Sequence, residues 1–223
     1  MSAPGVEAFG GVGPHAGQPV RVAGPALADA DRAMIVVHGR GASAESILEL
    51  GRVLTEGDTA LLAPQAAGYT WYPASFMAPL AANQPHLDSA LSGLGALVDA
   101  VAAAGIPAER TILAGFSQGA CLSSEFVARN PKRWGGLLVF SGGLIGPEGM
   151  DLTHEGDLAG TPVFMGCSDR DFHIPLSRFE ATGAELVRMG AEVDLQVYPE
   201  MGHTIVKDEI DRARRISAPT AAP

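Results

Sequence analysis

A single α/β domain with a mostly parallel sheet covered on both faces is the fold class that this sequence predicts. Three observations carry it. Short apolar runs, among them Arg32–Val37 and Thr111–Ala114, alternate with stretches of helical period almost from start to end. Gly, Asn and Pro punctuate the boundaries between them. The chain has 223 residues, 47% of them hydrophobic, enough for one full-sized core.

The elements follow in order. Residues 1–18, rich in Gly, Pro and Ala, read as a loose N-terminal segment, and 19–217 as the domain proper. Pro19–Ala23 is expected as an edge strand and Arg32–Val37 as a buried one, ending at the glycine turn His38-Gly39-Arg40-Gly41. Ser43 is suited to cap a helix through Leu54, with Ile47, Leu50 and Leu54 on one face. Thr59–Ala63 is a further strand. Prolines 64, 73, 79 and 85 exclude regular structure across most of the next segment. From Pro85 to Ala104, Leu87, Leu91, Leu94, Val98 and Val101 step by four and three, which is one packed helical face closed by Gly105. Strand Thr111–Ala114 leads to a helix from Gln118 that stops at Asn130-Pro131. Trp134–Phe140 is a strand, Gly146–Gly160 a polar loop and Pro162–Gly166 a strand. Leu176, Phe179, Gly183 and Leu186 mark a helix, Glu192–Tyr198 the last strand and Thr204–Ile216 the last helix. Residues 218–223 read as a frayed tail, starting from Ser217.

Composition excludes several classes of function. A net charge of −10 without a basic stripe argues against nucleic acid as a partner. Cys121 and Cys167 are too few for a disulfide framework and not spaced as metal ligands, so both are expected as buried thiols. Residues 1–18 lack a signal-peptide pattern, and no apolar run is long enough for an integral membrane segment. A cytoplasmic setting is the expectation, with no cofactor and no metal; a homodimer is compatible with this reading.

The chemistry centres on Gly115-Phe116-Ser117-Gln118-Gly119, a G-x-S-x-G pattern between an apolar strand and a helix. A sharp turn there would expose the Ser117 hydroxyl as a nucleophile, with glycines on either side to make room. An incidental turn serine is the plainer alternative, but the strand before and the helix after speak for the functional one. A serine hydroxyl needs a base, and the base an orienting acid, gathered at the carboxyl ends of the strands in the order serine, acid, histidine.

His203 fits as the base because it follows the last strand and its Tyr198–Gly202 turn, at the start of the last helix. His15 falls in the loose segment, and His86 precedes the serine. His154 is expected to be solvated, His173 to line the pocket, and His38 to serve the glycine turn structurally. Gly166-Cys167-Ser168-Asp169-Arg170-Asp171 offers two acids after a strand, and the residues by themselves do not separate Asp169 from Asp171. The backbone N–H of Gln118 opens a helix and suits an oxyanion hole, with the N–H of Arg40 as second donor. The Arg40 side chain is free to recognise an anionic substrate group or a structural carboxylate.

Together, His38-Gly39-Arg40-Gly41, Gly115–Gly119, Asp171-Phe172-His173-Ile174-Pro175 and Gly202-His203 resemble the phospholipase/carboxylesterase family, which includes the acyl-protein thioesterases. The resemblance runs from about Arg32 to Ile210. It implies a single-domain α/β-hydrolase and, as triad acid, the aspartate before the Ile-Pro pair, here Asp171. Two positions depart from the family pattern: Arg40 stands where Leu or Phe is typical, and Cys167-Ser168 where His-Gly is common.

Tyr69, Trp71, Tyr72 and Phe76 are four of only 13 aromatics and lie within eight residues. They are expected to wall a pocket for an apolar acyl or aromatic group, extended by Met77, Leu80 and Leu144, unless they simply fill the core. The reading is therefore a serine carboxylesterase acting on a small or medium acyl or aromatic ester. Its partner is a small-molecule ester or thioester, and its catalytic residues are Ser117, Asp171 and His203. An acyl-protein thioesterase or lysophospholipase, and a hydrolase-fold binding protein without turnover, are the alternatives.

Overall fold

A computed structural model describes residues 6–218. Along the chain run β1 (Val20–Ala23), β2 (Arg32–Val37), α1 (Ala44–Leu54), β3 (Thr59–Pro64), α2 (His86–Ala103), β4 (Thr111–Phe116), α3 (Gln118–Arg129), β5 (Gly136–Phe140), β6 (Pro162–Ser168), α4 (Leu176–Arg188), β7 (Glu192–Tyr198) and α5 (Lys207–Ser217). They form one sheet in the order β1-β3-β2-β4-β5-β6-β7. Only β1, at the edge beside β3, runs antiparallel; the other neighbours are parallel.

Alternation along the strands sorts the core into two layers. Ala33, Ile35 and Val37 of β2 face one way, joining Leu87 and Leu94 of α2, Leu122 and Phe126 of α3, and Phe179 and Leu186 of α4. Met34 and Val36 face the other way, with Ile47, Leu48 and Leu54 of α1 and Ala213 of α5. Each fully buried Leu, Ile or Phe here contributes about 1.5–3 kcal/mol. The strand order reverses between β2 and β4, and the register Val37↔Gly115 brings their carboxyl ends side by side. That crevice is where a doubly wound sheet offers a site.

Several boundaries differ from expectation. α1 begins where expected: Ser43 Oγ accepts from the N–H of Ser46 at 3.2 Å, and the Ser46 hydroxyl accepts from the N–H of Ser43 at 3.1 Å. β6 runs two residues past Gly166, because Cys167 and Ser168 still pair with Val197 and Tyr198 of β7. β5 starts at Gly136 instead of Trp134, whose N–H donates to Thr161 Oγ1 and whose indole is fully buried. α5 starts at Lys207, three residues later than expected. The Glu209 carboxylate receives the N–H of Val206 and fixes the first turn there. His203 consequently lies in a loop before the helix.

The N-terminal segment is not loose over its described residues 6–18. Val6, Phe9 and His15 are buried, and the N–H of Phe9 donates to the Gln18 carbonyl at 2.6 Å. One aromatic anchor and a buried imidazole are enough to order a strap whose glycine content suggested otherwise. Residues 1–5, and 219–223 of the expected tail, lie outside the described residues. Ser217 belongs to α5, buried, with its hydroxyl donating to the Leu54 carbonyl. Among the described residues no helix is long and apolar enough to cross a membrane.

Candidate active site

Ser117 sits on the turn between β4 and α3 with φ 56° and ψ −120°, a strained conformation for a residue with a side chain. Its neighbours explain how the turn is tolerated. A Cβ on Gly119 would lie 2.1 Å from the Val37 carbonyl oxygen, and one on Gly115 would lie 2.5 Å from the Gly119 backbone. Neither position admits a larger residue without moving backbone. The N–H of Ser117 donates to the Phe140 carbonyl at 2.9 Å, which ties the turn to the adjacent strand end.

His203 Nε2 lies 2.8 Å from Ser117 Oγ, and His203 Nδ1 lies 2.6 Å from Asp171 Oδ2. A carboxylate accepts only, so the Nδ1 proton points at Asp171 and Nε2 is left to accept from the serine hydroxyl. The Asp171 side chain is fully shielded from solvent. Burial alone would raise its pKa; the hydrogen bond from His203 and the N–H groups of His173 (2.8 Å) and Ile174 (3.1 Å) outweigh that and hold it below the ordinary aspartate value. The Cys167 thiol also approaches Asp171 Oδ2, at 3.8 Å.

Asp169, the other acidic candidate, points elsewhere: its Oδ1 receives the N–H of Glu200 at 2.8 Å. Ser168 Oγ accepts from the N–H of Arg170 and from that of Gly202, at 3.0 and 3.1 Å. These bonds brace the loop carrying Asp171 against the loop carrying His203. The imidazole is also held between two rings, with centroids 4.8 Å from Phe116 and 4.7 Å from His173.

The oxyanion candidates border the same cavity, of about 490 Å³. Among the described residues, the N–H groups of Arg40 and Gln118 have no hydrogen-bond acceptor, as expected of donors held for a ligand. Gly39 sets Arg40 close to the serine, since a Cβ on it would lie 3.4 Å from Ser117 Cβ. Among the described residues the Arg40 side chain meets no structural carboxylate. It donates to the carbonyls of Pro73 (3.0 Å), Tyr72 (2.9 Å) and Ala74 (2.7 Å).

Of the aromatic cluster, Tyr72 and Phe76 line the cavity, as does His173 from the loop after β6. Trp71 does not: it is 0% exposed, with its indole N–H donating to the His38 carbonyl at 2.8 Å. Tyr69 does not either; it is 57% exposed beside Pro19 and Glu45. Met77, Leu80 and Leu144 pack on the core and do not line the cavity, whereas Cys121 does. Alternation of direction along an irregular segment splits neighbours between core and cavity, and composition cannot tell which goes where.

The remaining histidines are structural. His38 is buried, its Nδ1 2.7 Å from the Gly39 carbonyl and its Nε2 accepting from the N–H of Ala66; burial lowers its pKa. His15 Nδ1 accepts from the N–H of Ala67, and its Nε2 lies 2.9 Å from the Trp71 carbonyl. His154 is not solvated as expected. It packs 3.7 Å from the buried Glu125 carboxylate, which raises its pKa. Both cysteines are free and buried, and burial pushes each thiol up to about 12.

Sequence reasoning overlooked three contributors. Phe116 forms a shelf for the imidazole. Ser168 bridges the two loops. The Gln118 side chain accepts from the N–H of Trp71 at 2.9 Å and donates to the Tyr72 carbonyl at 2.8 Å, clamping the cavity wall. Gln118 alone left a signal: an amide directly after the serine turn, at the start of a helix buried along most of its length, must find partners. Among the described residues no group of three or more His, Cys, Asp or Glu is placed to hold a metal ion.

Residues 21–216 match the Phospholipase/Carboxylesterase family. A solved phospholipase/carboxylesterase from Dyadobacter fermentans is 43% identical, with a TM-score of 0.85 over 89% of this chain and 95% of that one. Acyl-protein thioesterase 1 of Eremothecium gossypii is 30% identical over 87% of this chain and 90% of that protein. A protein of Oryza sativa subsp. japonica named as a probable carboxylesterase is 32% identical over 59% of this chain. The match covers 51% of that protein, so the chain spans about half the length of this relative.

Proposed function

This chain belongs to the phospholipase/carboxylesterase family of α/β-hydrolases, and from that premise we propose that it is a serine carboxylesterase working through Ser117, His203 and Asp171. The observation that supports this best is the unbroken row Ser117 Oγ, His203 Nε2, His203 Nδ1, Asp171 Oδ2, with steps of 2.8 and 2.6 Å.

The steps follow from the geometry. Ser117 Oγ attacks the ester carbonyl carbon while His203 Nε2 takes the hydroxyl proton. Negative charge gathering on the carbonyl oxygen is met by the N–H groups of Arg40 and Gln118, fixed in place before the reaction. Collapse of the tetrahedral species breaks the bond to the leaving group, which takes the proton from His203 and departs as the alcohol. Water then gives a proton to His203 and attacks the acyl-enzyme; collapse returns that proton to Ser117 Oγ and frees the acid. Asp171 orients the ring and stabilises the imidazolium throughout.

A cavity of about 490 Å³ lined in part by Tyr72, Phe76 and Cys121 favours a small or medium acyl or aromatic group. A thioesterase acting on acylated proteins, or a lysophospholipase, is the second reading, favoured by the likeness to acyl-protein thioesterase 1 along most of both chains. The two cysteines, both free, agree with a cytoplasmic setting. Hydrolysis of 4-nitrophenyl esters from acetate to palmitate, beside a palmitoyl thioester and the Ser117→Ala control, tests the choice. Rates falling beyond medium chains support the carboxylesterase, and a thioester preferred over every ester supports the second reading. Folded protein inert toward all of them and toward a fluorophosphonate marks a binding protein instead.

A further inference from the structure

Arg40 brings a positive charge to the Ser117 cavity, and no acid there answers it. Among the residues lining that cavity it is the one Arg or Lys, and none is Glu or Asp. The ion pairs of the described arginines and lysines do not include it. Its partners are the three carbonyl oxygens of Tyr72, Pro73 and Ala74. Those bonds hold the guanidinium rigid without neutralising it, and a guanidinium has further N–H donors beyond the three in use. The setting sharpens the contrast, because a chain with net charge −10 repels anions in general. A lone fixed cation at the mouth of such a site is what an anionic substrate needs, and it is of no use to a neutral one.

We propose that Arg40 selects esters or thioesters that carry a second, anionic group, a carboxylate or phosphate, set apart from the bond that is cleaved. The proposal rests on the esterase reading and narrows its substrate class. The guanidinium N–H groups not engaged by the three carbonyls can donate to such a group in a charge-assisted hydrogen bond. The rival is that Arg40 only clamps residues 72–74. In that case its loss lowers turnover of charged and neutral substrates alike.

The test compares kcat/KM within matched pairs. 4-Acetoxybenzoate and 4-acetoxybenzamide place the charge on the alcohol side. The mono-4-nitrophenyl ester of adipic acid and its methyl ester place it on the acyl side. In the wild type the anionic member of at least one pair is expected to be favoured by about tenfold, the size of one charge-assisted hydrogen bond. That preference is expected to shrink as salt rises, to vanish in Arg40→Gln and to survive in part in Arg40→Lys. Preference for the neutral member in both pairs overturns the proposal, as does a ratio unchanged in Arg40→Gln. Should Arg40→Gln not fold, the salt series on the wild type decides, and a ratio indifferent to ionic strength counts against it. Turnover of the neutral members, lost in Ser117→Ala, keeps the esterase reading standing even where charge selection fails.

Discussion

His203 Nε2 lies 2.8 Å from Ser117 Oγ, although 86 residues separate the two along the chain. The parallel sheet accomplishes this by delivering β4, β6 and β7 to one edge, where the loops after them meet. The first consequence concerns the serine itself. Ser117→Ala is expected to abolish ester hydrolysis while leaving the fold intact. Ser117→Gly is expected to be equally inactive but more stable than the Ala variant by about 1 kcal/mol. Relief of a positive-φ strain of about 1–3 kcal/mol outweighs glycine's entropic cost of about 0.5–1 kcal/mol. Thermal unfolding of the two variants checks the sign.

The two aspartates after β6 are expected to separate cleanly. Asp171→Asn should lower kcat by roughly 10³–10⁴, because an amide cannot hold the imidazole in the tautomer that leaves Nε2 free to accept. Asp169→Asn only weakens a brace on the Glu200 N–H, since the amide oxygen can still accept, and a loss of about tenfold or less is expected. Steady-state kinetics on one 4-nitrophenyl ester decides. The reverse order would move the acid role to Asp169.

Gln118 carries two separable duties. Its backbone N–H is the proposed oxyanion donor, and its side chain holds Trp71 and Tyr72. Gln118→Ala keeps the first and removes the second, leaving the buried Trp71 N–H unpaired at a cost of about 1–3 kcal/mol, while the Tyr72 carbonyl keeps its bond from Arg40. A lower midpoint in urea and a raised KM are expected, with kcat falling less than in Asp171→Asn. Should kcat collapse with KM unmoved, the side chain contributes to the chemical step itself.

Glu209 predicts a pH dependence of stability. It is fully buried on α5. One oxygen receives the Val206 N–H at 2.8 Å, and the other has no partner among the described residues. Burial pushes its pKa up to about 7, opposed by the Val206 bond and assisted by Asp208. A carboxyl whose folded pKa is raised binds its proton more readily folded than unfolded. Its contribution is present in full below the unfolded value of about 4.3 and is lost as pH rises through about 7. Urea unfolding of the wild type should therefore weaken between about pH 5 and 8, and Glu209→Gln, neutral throughout, should lack that slope. Parallel slopes in the two proteins would refute the assignment.

Much of the scaffold was legible because its physics is local. The strands Arg32–Val37 and Glu192–Tyr198 carry β-branched and apolar runs of the right length, and their observed bounds agree. Ser43 announces a helix by its side chain, and it caps one. Gly115 and Gly119 are legible for another reason, since no other residue fits against Val37 and the turn backbone. Where direction in space decides, the sequence is silent. Trp71 and Tyr72 are adjacent and both buried in the core, yet only Tyr72 also lines the cavity. Phe9 and His15 sit among glycines that suggest looseness, but long-range burial against Trp71 orders them. The start of α5 was misplaced because Glu209, a residue inside the helix, sets its first turn.

The most direct measurement is the intact mass of the protein after mixing with a fluorophosphonate, followed by peptide mapping. One equivalent bound at Ser117 is expected in the wild type, none in Ser117→Ala, and slow labelling in His203→Ala. Folded wild-type protein that stays unlabelled, or that carries the adduct on another residue, would contradict Ser117 as the activated nucleophile.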